Sequence, residues 1–396
     1  MTADFFQWIE AHKEDDVSRL RLKYGRERAD EILQIECRRK YASKLGDVLH
    51  RDPEFIFPTA LSGEQATSCR LAHFHASMVK PGDKVVDLTS GLGIDVMAMA
   101  HRVGEMGHVI AVERDENVAD ALRHNARDIS NIEVITSDCR TLVDVWAQEG
   151  MKFDWVFIDP ARRAADGGRV FALDQCEPNV VAMLPVLSKI SKKLIIKASP
   201  MLDISHTVGL LPQAEKVITL GSTTECKELD VICDFARAEG RAPEIEAVTL
   251  GDGLDSRFEF TRLQEAEAKP DFGLPTVGGY VYDPYPAVMK AAPFNLLSQR
   301  FGLKKLAANT QLWCSETLVE KFPGRAYRVL EILPYMSKHI KRYASRYPKI
   351  GVTARNFDIS SDALRAKLAV KDGPMQLFAV TAFNSQKLLI TTEPIQ

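Results

Sequence analysis

The spacing of hydrophobic residues divides the chain into an N-terminal helical part and a later part with short strands. Residues 4–48 contain no proline, and their apolar side chains recur at near-helical spacing, which predicts two or three helices. The run 64–79 predicts a further helix that ends before Pro81-Gly82. We therefore expect residues 1–78 to form an N-terminal helical segment.

Short β-branched runs alternate with helical stretches beyond Gly82. The predicted strands lie at residues 84–88, 108–113, 132–136, 155–158, 194–198, 216–220 and 229–235. Strands that alternate with helices indicate βαβ units and a mostly parallel sheet. The last two runs are separated by only eight residues, too few for a helical crossover, and predict an antiparallel hairpin at the sheet edge. Residues 79–236 are thus predicted to form an α/β domain with a Rossmann-like, seven-stranded sheet.

The pattern becomes mixed in the C-terminal part. Turn-forming residues are frequent in residues 237–275, which we interpret as a hairpin and linker. From residue 276 an α+β region is predicted, with strands at the sequences GYVYDP, RAYRVLEI, KIGVTA, MQLFAVTAF and KLLITT. Helices are predicted near residues 286–300, 337–346 and 360–368.

Composition narrows the class of protein. Hydrophobic residues make up 45% of the chain and charged residues 27%, which excludes a mostly disordered or fibrous protein. No apolar stretch approaches the ~20 residues that cross a bilayer, and the N-terminus differs from a signal peptide. The seven cysteines form no CxxC pair, and His73 and His75 are poorly spaced on a helix to share a metal. We expect a cytoplasmic protein with no membrane partner and no metal.

The net charge of −3 conceals an uneven distribution. Residues 300–396 contain 16 Lys+Arg and 7 Asp+Glu, a local charge of +9, so the rest of the chain carries −12. Basic residues with tyrosines between them suit phosphate contact and base stacking, which makes this region a candidate RNA-binding surface. The alternative, a solvated helix face with tyrosines partly in the core, stays open. The candidate RNA-binding residues are Lys338, Lys341, Arg342, Arg346 and Arg355, and the tyrosines are Tyr335, Tyr343 and Tyr347.

One glycine-containing turn carries the clearest chemical signal. A predicted buried strand runs into Asp87-Leu88-Thr89-Ser90-Gly91-Leu92-Gly93 and then into a helix. Glycines allow a sharp turn and close approach of a ligand, and a helix N-terminus presents free N–H groups. A dinucleotide-binding loop would need a third glycine to seat a pyrophosphate. An acid at the strand end would instead repel a pyrophosphate and attract an ammonium group.

This segment resembles motif I of the class I S-adenosylmethionine-dependent methyltransferases, with Thr89 where the commoner pattern has its first glycine. The resemblance implies that S-adenosyl-L-methionine is the cofactor, with Glu113 on its ribose hydroxyls and Asp138 on its adenine amino group. The implied cofactor-binding residues are Asp87, Thr89, Gly91, Gly93, Glu113, Asp138 and Asp159. Helix capping is the alternative role for each acid, but four acids at four successive strand ends favour a ligand site. For Asp95, on the next helix, both roles stay open.

The sequence Asp159-Pro160-Ala161-Arg162 resembles two substrate motifs of this family. Amino-methylating members carry Asp/Asn-Pro-Pro-Tyr, which implies that Asp159 and the Pro160 carbonyl accept hydrogen bonds from the target amine. The 5-methyluridine-forming RNA methyltransferases carry Asp-Pro-Pro-Arg and need a cysteine shortly after the fifth strand, where this chain has none. Cys226, beside Lys227, lies later and is either a nucleophile or a packing residue. Arg162 completes the candidate catalytic residues, as a phosphate clamp or as a solvated loop charge.

The C-terminal sequence is similar to two domains that occur in such enzymes. Residues 276–322 resemble a ferredoxin-like domain, and residues 323–396 resemble a THUMP-like domain. Related THUMP domains bind RNA, so the resemblance implies methylation of structured RNA (tRNA or rRNA), at a base nitrogen in preference to carbon. Two alternatives stay open. One is a methyltransferase for small molecules or proteins, and the other is a non-catalytic RNA-binding protein with a vestigial cofactor fold.

Overall fold

The computed structural model describes residues 3–161, 172–251, 253 and 255–395, and its contacts divide the chain into two units. Unit 1 comprises residues 1–215 and 231–241, and unit 2 comprises residues 216–230 and 242–396. Among the described helices, none is both long and apolar enough to cross a bilayer.

Unit 1 contains the predicted N-terminal helices and most of the predicted sheet. Its helices are α1 (Ala3–His12), α2 (Val17–Tyr24), α3 (Ala29–Arg51), α4 (Ala60–Gln65), α5 (Cys69–Ala76), α6 (Ile94–Val103), α7 (Glu116–Asn125), α8 (Cys139–Glu149), α9 (Val180–Ile190) and α10 (Ile204–Gly209). Its strands are β1 (Lys84–Asp87), β2 (His108–Glu113), β3 (Ile132–Thr136), β4 (Phe153–Ile158) and β5 (Ser191–Ala198), and it shares β6 (Ala214–Gly221) and β7 (Cys226–Asp234) with unit 2.

The five complete strands of unit 1 form a parallel sheet in the order β3-β2-β1-β4-β5. Apolar β-branched and aliphatic residues fill the strands because helices cover both faces of such a sheet. The mixed α/β fold predicted from the sequence is confirmed, and each predicted strand of this region overlaps an observed one. All four carboxyl ends of β1–β4 lie at one edge of the sheet, since parallel strands share their direction.

Side-chain amides anchor the N-terminal helices to the rest of unit 1. Gln34 of α3 accepts a hydrogen bond from the Phe57 N–H (2.8 Å) and donates to the Phe57 carbonyl (2.9 Å). Asn125 of α7 makes the same pair of bonds with the N–H (2.8 Å) and the carbonyl (3.1 Å) of Ile56. Both amides are buried. They pair with the backbone N–H and carbonyl groups of Ile56 and Phe57, which lie in no strand and would otherwise lack these partners.

The structure corrects the predicted helix over residues 64–79. The chain forms α4 and α5 there, separated by an extended turn at Ala66 and Ser68. Thr59 caps α4 and Ser68 caps α5 through their hydroxyl groups, which explains why the periodic pattern is interrupted. The break places Thr67 in a buried turn rather than on a helix surface.

Unit 2 carries the C-terminal α+β elements. Its strands are β8 (Glu244–Thr249), β9 (Ser256–Phe260), β10 (Asp271–Phe272), β11 (Tyr280–Pro284), β12 (Lys304–Ala307), β13 (Thr310–Ser315), β14 (Gly324–Pro334), β15 (Lys349–Arg355), β16 (Lys371–Thr381) and β17 (Lys387–Pro394). Its helices are α11 (Arg262–Glu267), α12 (Pro286–Ala291), α13 (Phe294–Phe301), α14 (Ser337–Arg346) and α15 (Ser361–Leu368).

Two sheets organise unit 2. One continues from β7 in the order β7-β6-β8-β9, so the predicted hairpin of β6 and β7 does not lie at the sheet edge. The other has eight strands in the order β10-β12-β13-β11-β14-β17-β16-β15. The sequence pattern missed β12 and β13, which have four and six residues, because such short runs show little alternation. Residues 237–275, predicted as a hairpin and linker, contribute two strands to the first sheet and one to the second.

We predict that Asn125→Ala lowers the free energy of unfolding by about 2–4 kcal/mol, because the buried Ile56 N–H and carbonyl lose their partners. Asn117→Ala, at an exposed position of the same helix, is the control and should change stability by about 0.5 kcal/mol or less. Chemical denaturation of the full chain measures both. Equal effects of the two substitutions would contradict the anchoring role of Asn125.

Candidate active site

The carboxyl ends of four neighbouring strands each place one acid at the same edge of the unit 1 sheet. Asp87 is the last residue of β1 and Glu113 the last of β2. Asp138 follows β3 and caps α8, and Asp159 comes directly after β4. The structure therefore places these four acids at the strand ends where the sequence predicts them.

The glycine-containing turn after β1 links three of these strand ends. Thr89 Oγ1 accepts a hydrogen bond from the Asp159 N–H at 2.7 Å, and the Gly91 N–H donates to Glu113 Oε2 at 3.0 Å. Gly93 begins α6 with a φ of +78°, and a Cβ atom there would lie 2.0 Å from a methyl carbon of Leu122. Only glycine fits this conformation without strain, so the turn depends on its residue type.

Asp87 is a buried carboxylate with one backbone partner. The Thr89 N–H donates to Asp87 Oδ1 at 2.9 Å, and none of the ion pairs among the described residues involves Asp87. Burial raises the pKa of Asp87 well above its usual value, with Asp95 and Asp159 adding to the shift. A buried carboxyl group without a cationic partner among the described residues suits a positively charged ligand group, because that charge would stabilise its ionised form. This environment therefore fits the ammonium end of S-adenosyl-L-methionine.

Glu113 and Asp138 already accept hydrogen bonds from the protein. Glu113 Oε1 accepts from the Asp115 N–H at 2.9 Å, besides the bond from Gly91. Asp138 accepts from the Arg140 N–H (2.9 Å) and guanidinium (2.5 Å), and the hydrogen bond from Arg140 lowers the pKa of Asp138. Asp138 thus performs the helix-capping role that the sequence left as an alternative. Its role toward the adenine of the cofactor stays a prediction.

Lys197 is the central residue that the sequence analysis missed. Its side chain is 7% exposed, and its Nζ lies 2.7 Å from Asp159 Oδ2 and 3.8 Å from Asp95 Oδ2. The ammonium also donates to Thr67 Oγ1 at 2.7 Å. A lysine within the apolar run Leu194–Ala198 of a central strand was the signal that could have identified it, because lysine is almost never buried without a partner.

Asp95 connects this lysine to His75. Thr67 Oγ1 donates to Asp95 Oδ2 at 2.5 Å, and His75 Nδ1 lies 2.7 Å from Asp95 Oδ1. Burial alone would raise the pKa of Asp95, but Lys197 and His75 outweigh it and lower the pKa to about 2. Asp95 is therefore an anion at neutral pH that holds a buried network together. The capping role suggested for Asp95 is wrong, because Gly93 occupies the N-cap of α6.

The segment after β4 is described as far as Ala161. Ala161 exchanges backbone hydrogen bonds with Glu177, and the Glu177 carboxylate lies 2.9 Å from the Arg140 guanidinium. Pro160 is buried beside Asp159. Arg162, the third candidate catalytic residue, lies outside the described residues.

Cys226 has an environment that disfavours the thiolate. It begins β7 in unit 2, and burial raises the pKa of its thiol to about 11. Lys227, which the sequence suggested as an activating neighbour, forms an ion pair with Glu225. The thiol form therefore predominates at neutral pH, which agrees with a packing role.

The five candidate RNA-binding residues fall into two groups. Lys338, Lys341 and Arg342 are exposed on α14, and no ion pair among the described residues involves them. Arg346 pairs with Glu331, and Arg355 pairs with Asp283. The first three thus carry positive charges that no described carboxylate compensates.

The interleaved tyrosines do not form an exposed stacking surface. Tyr343 is 2% exposed and bonds Thr391, and burial raises its pKa. Tyr335 packs edge-on against Phe357, and the Tyr347 hydroxyl contacts Glu331. The alternative of tyrosines partly in the core therefore holds for these positions, because Tyr343 belongs to a buried core cluster and Tyr335 and Tyr347 pack against it.

We predict that Lys197→Met lowers the free energy of unfolding by about 3–5 kcal/mol, because Asp95 and Asp159 lose their shared cation in a buried site. Lys192→Met is the matched control, since Lys192 lies on the same strand, is 77% exposed and makes a surface pair with Asp154. The control should cost no more than about 1 kcal/mol. Denaturant titration distinguishes the two, and similar losses would contradict a central role for Lys197.

We predict that Asp87→Asn raises the melting temperature of the ligand-free protein at neutral pH. The folded-state pKa of Asp87 is raised, so its contribution to stability is complete below the unfolded pKa and is lost as pH rises through the folded pKa. The gain from the substitution should therefore shrink as pH falls toward about 4. Melting curves over pH measure this, with Asp144→Asn, an exposed position on α8, as the control. A loss of stability at neutral pH would refute the prediction.

Solved and curated relatives resemble the chain over different lengths. The structure described as "Crystal structure of putative methyltransferase from Porphyromonas gingivalis W83" is 27% identical, has a TM-score of 0.88 and matches 99% of this chain and 98% of its own. The "Uncharacterized RNA methyltransferase YljE" of Lactococcus lactis is 27% identical over 36% of this chain and 32% of its own length. The "23S rRNA (uracil(1939)-C(5))-methyltransferase RlmD" of Psychrobacter arcticus is 40% identical over 22% and 17%, respectively. The chain thus spans a third or less of these curated relatives.

Family models match three successive parts of the chain. A methyltransferase domain matches residues 79–200, which include the strand-end acids, the glycine turn and Lys197. A ferredoxin-like domain matches residues 280–323, and a THUMP domain-like model matches residues 324–394. The chain therefore combines a methyltransferase domain with a ferredoxin-like domain and a THUMP-like domain.

Proposed function

We propose that this protein transfers a methyl group from S-adenosyl-L-methionine to a base nitrogen of structured RNA, tRNA or rRNA. The observation that carries the proposal is the position of Asp159. Its backbone N–H donates to the Thr89 hydroxyl group, and its carboxylate pairs with Lys197. The acid lies beside the glycine turn and the buried Asp87, at the sheet edge where ligands of parallel α/β sheets bind. The THUMP-like domain and the curated relatives named as RNA methyltransferases support RNA as the substrate.

The cofactor would be held by the residues of the sheet edge. S-adenosyl-L-methionine supplies an electrophilic methyl group when it is bound. Asp87 would bind its ammonium group, and the turn at Gly91 and Gly93 would allow the backbone to approach it closely. Glu113 would bind the ribose hydroxyls and Asp138 the adenine amino group.

Asp159 and Pro160 would orient the target base. Lys197 keeps the Asp159 carboxylate charged and fixed, so that it can accept a hydrogen bond from the target amine. The Pro160 carbonyl would be a second acceptor, and the two acceptors together would direct the nitrogen lone pair toward the methyl group. Asp159 or water would accept the surplus proton of the amine once the methyl group has moved from sulfur to nitrogen. A base within a helix must first leave its stack to reach this site.

Methylation of a pyrimidine carbon is the second candidate, and its support is the segment similar to a uracil-C5 methyltransferase. Such a reaction needs a cysteine nucleophile. The raised pKa of Cys226 opposes that role, because little thiolate would exist at neutral pH. We therefore favour nitrogen, and Cys226→Ser separates the two chemistries: it should leave nitrogen methylation intact and abolish carbon methylation.

The exposed cations of α14 would bind the RNA backbone. Lys338, Lys341 and Arg342 lie within five residues of one helix, and residues 300–396 carry a surplus of nine positive charges. Contacts between such cations and phosphates release counterions, so the affinity for RNA should fall steeply with salt.

We predict that Asp159→Ala reduces methyl transfer to RNA by about 100-fold or more, because the target amine loses its charged acceptor. The assay uses the full chain, radiolabelled S-adenosyl-L-methionine and total RNA from a strain that lacks this protein, followed by mass spectrometry of the methylated nucleoside. Calorimetry of S-adenosyl-L-methionine with the wild type and the variant tests cofactor binding separately. Asp144→Ala, an exposed acid of α8, should keep full activity.

Three results would count against the proposal. Absence of S-adenosyl-L-methionine binding would indicate a vestigial cofactor fold. Binding of the cofactor without methylation of any RNA class would favour a small-molecule or protein substrate. Equal activity of Asp159→Ala and the wild type would remove Asp159 from the reaction.

A further inference from the structure

A polar cavity lies within unit 2, and its lining includes none of the candidate cofactor-binding or catalytic residues. Its volume is about 320 Å³, and its polar lining comes from the turn between β6 and β7 and from strands β11, β14 and β15. The lining residues that matter here are Thr223, Thr224, Asp283, Tyr285, Arg325 and Arg355. Four separate stretches of sequence therefore contribute polar groups to one concave site.

Two arginines give this cavity a positive charge. Arg355 Nη2 donates to Asp283 Oδ1 at 3.1 Å, and Arg325 Nη2 donates to the Thr223 carbonyl at 2.9 Å. These bonds hold one guanidinium group against a carboxylate and the other against a backbone carbonyl. Burial raises the pKa of Asp283, although Arg355 and Arg325 oppose the shift. Asp283 is the one carboxyl group among the described lining residues, so the two arginines face at most one negative charge.

One donor of this cluster has no partner among the described residues. The Nε of Arg355 is buried and makes no hydrogen bond there. A buried N–H that lacks an acceptor is unfavourable by about 1–3 kcal/mol in proteins, so such a group is a natural site for a bound acceptor. The hydroxyl groups of Thr223 and Thr224 and the phenol of Tyr285 add neutral donors around the same space.

We propose that this cavity binds a phosphate group of the RNA substrate, an inference that rests on the proposed function. Arginine forks match the oxygens of a phosphate, and hydroxyl donors commonly accompany them in contacts with nucleic-acid backbones. The volume lies at the lower end of small-ligand pockets, roughly 300–1,000 Å³, which suits one phosphate with part of its ribose. Arg325 and Thr224 are exposed, so a phosphate that remains part of a chain can reach the donors.

The test compares two arginines of the same strand. Arg325→Gln removes one guanidinium from the cavity, and Arg328→Gln removes an exposed arginine three residues away on β14, which therefore points to the opposite face. Binding of the full chain to bulk tRNA is measured over a series of salt concentrations. Arg325→Gln should weaken binding roughly tenfold at low salt and reduce the salt slope by about one. Arg328→Gln should change the affinity less than twofold.

Equal weakening by the two substitutions would overturn the proposal, because it would indicate diffuse attraction rather than a phosphate site. A wild type that binds no tRNA contradicts both the RNA substrate and an RNA phosphate as the occupant of this cavity. Inorganic phosphate, titrated against chloride at equal ionic strength while the melting temperature is followed, tests the cavity itself. A saturable increase in the wild type and Arg328→Gln that is absent in Arg325→Gln supports an anion site there, and equal responses in all three overturn it.

Discussion

The buried ammonium of Lys197 is the constraint on which the candidate active site depends. A cation removed from water needs anions and hydrogen-bond acceptors close to it, since desolvation otherwise drives it to lose its proton. Here Asp159, Asp95 and Thr67 satisfy that need from three different elements. The positions of β4, β5, α6 and the turn before α5 are therefore coupled through a single charge.

This coupling explains why the strand-end acids are not equivalent. Asp95 and Asp159 are compensated by Lys197, and Asp138 by Arg140, whereas Asp87 is left with a backbone N–H. Among the described residues, this edge therefore has one buried carboxyl group without a cationic partner. It favours a ligand that brings a positive charge to one location and neutral hydrogen-bonding groups elsewhere, which is the charge distribution of a sulfonium amino acid joined to a nucleoside.

The sequence predicted those parts of the molecule that follow from local patterns. The strands of unit 1 were predictable because β-branched runs alternate with amphipathic helices, and the positions of Asp87, Glu113, Asp138 and Asp159 follow from where those runs end. Their roles toward a cofactor stay predictions. The network that joins Lys197 to Thr67 directly, and to His75 through Asp95, was not predictable, because more than 100 residues separate the lysine from Thr67 and from His75 and such pairing is a property of the folded chain. The tyrosines in and beside α14 show the converse. Their spacing suited a stacking surface, but Tyr343 is buried, and only tertiary packing decides which side of a helix faces the sheet.

The turn that carries Thr67 also limits how the chain can be divided. It precedes the segment matched by the methyltransferase model, yet its hydroxyl group joins Lys197 to Asp95 inside that segment. His75 completes the same network from α5, and Asn125 fastens residue 56 to α7. A fragment cut at residue 79 would thus contain every strand-end acid but would expose an ammonium ion and an aspartate to a cavity that the missing residues once filled. The methyltransferase domain of this protein therefore cannot be separated from the preceding residues without damage, since the turn at Thr67 and helix α5 are structurally part of its candidate active site.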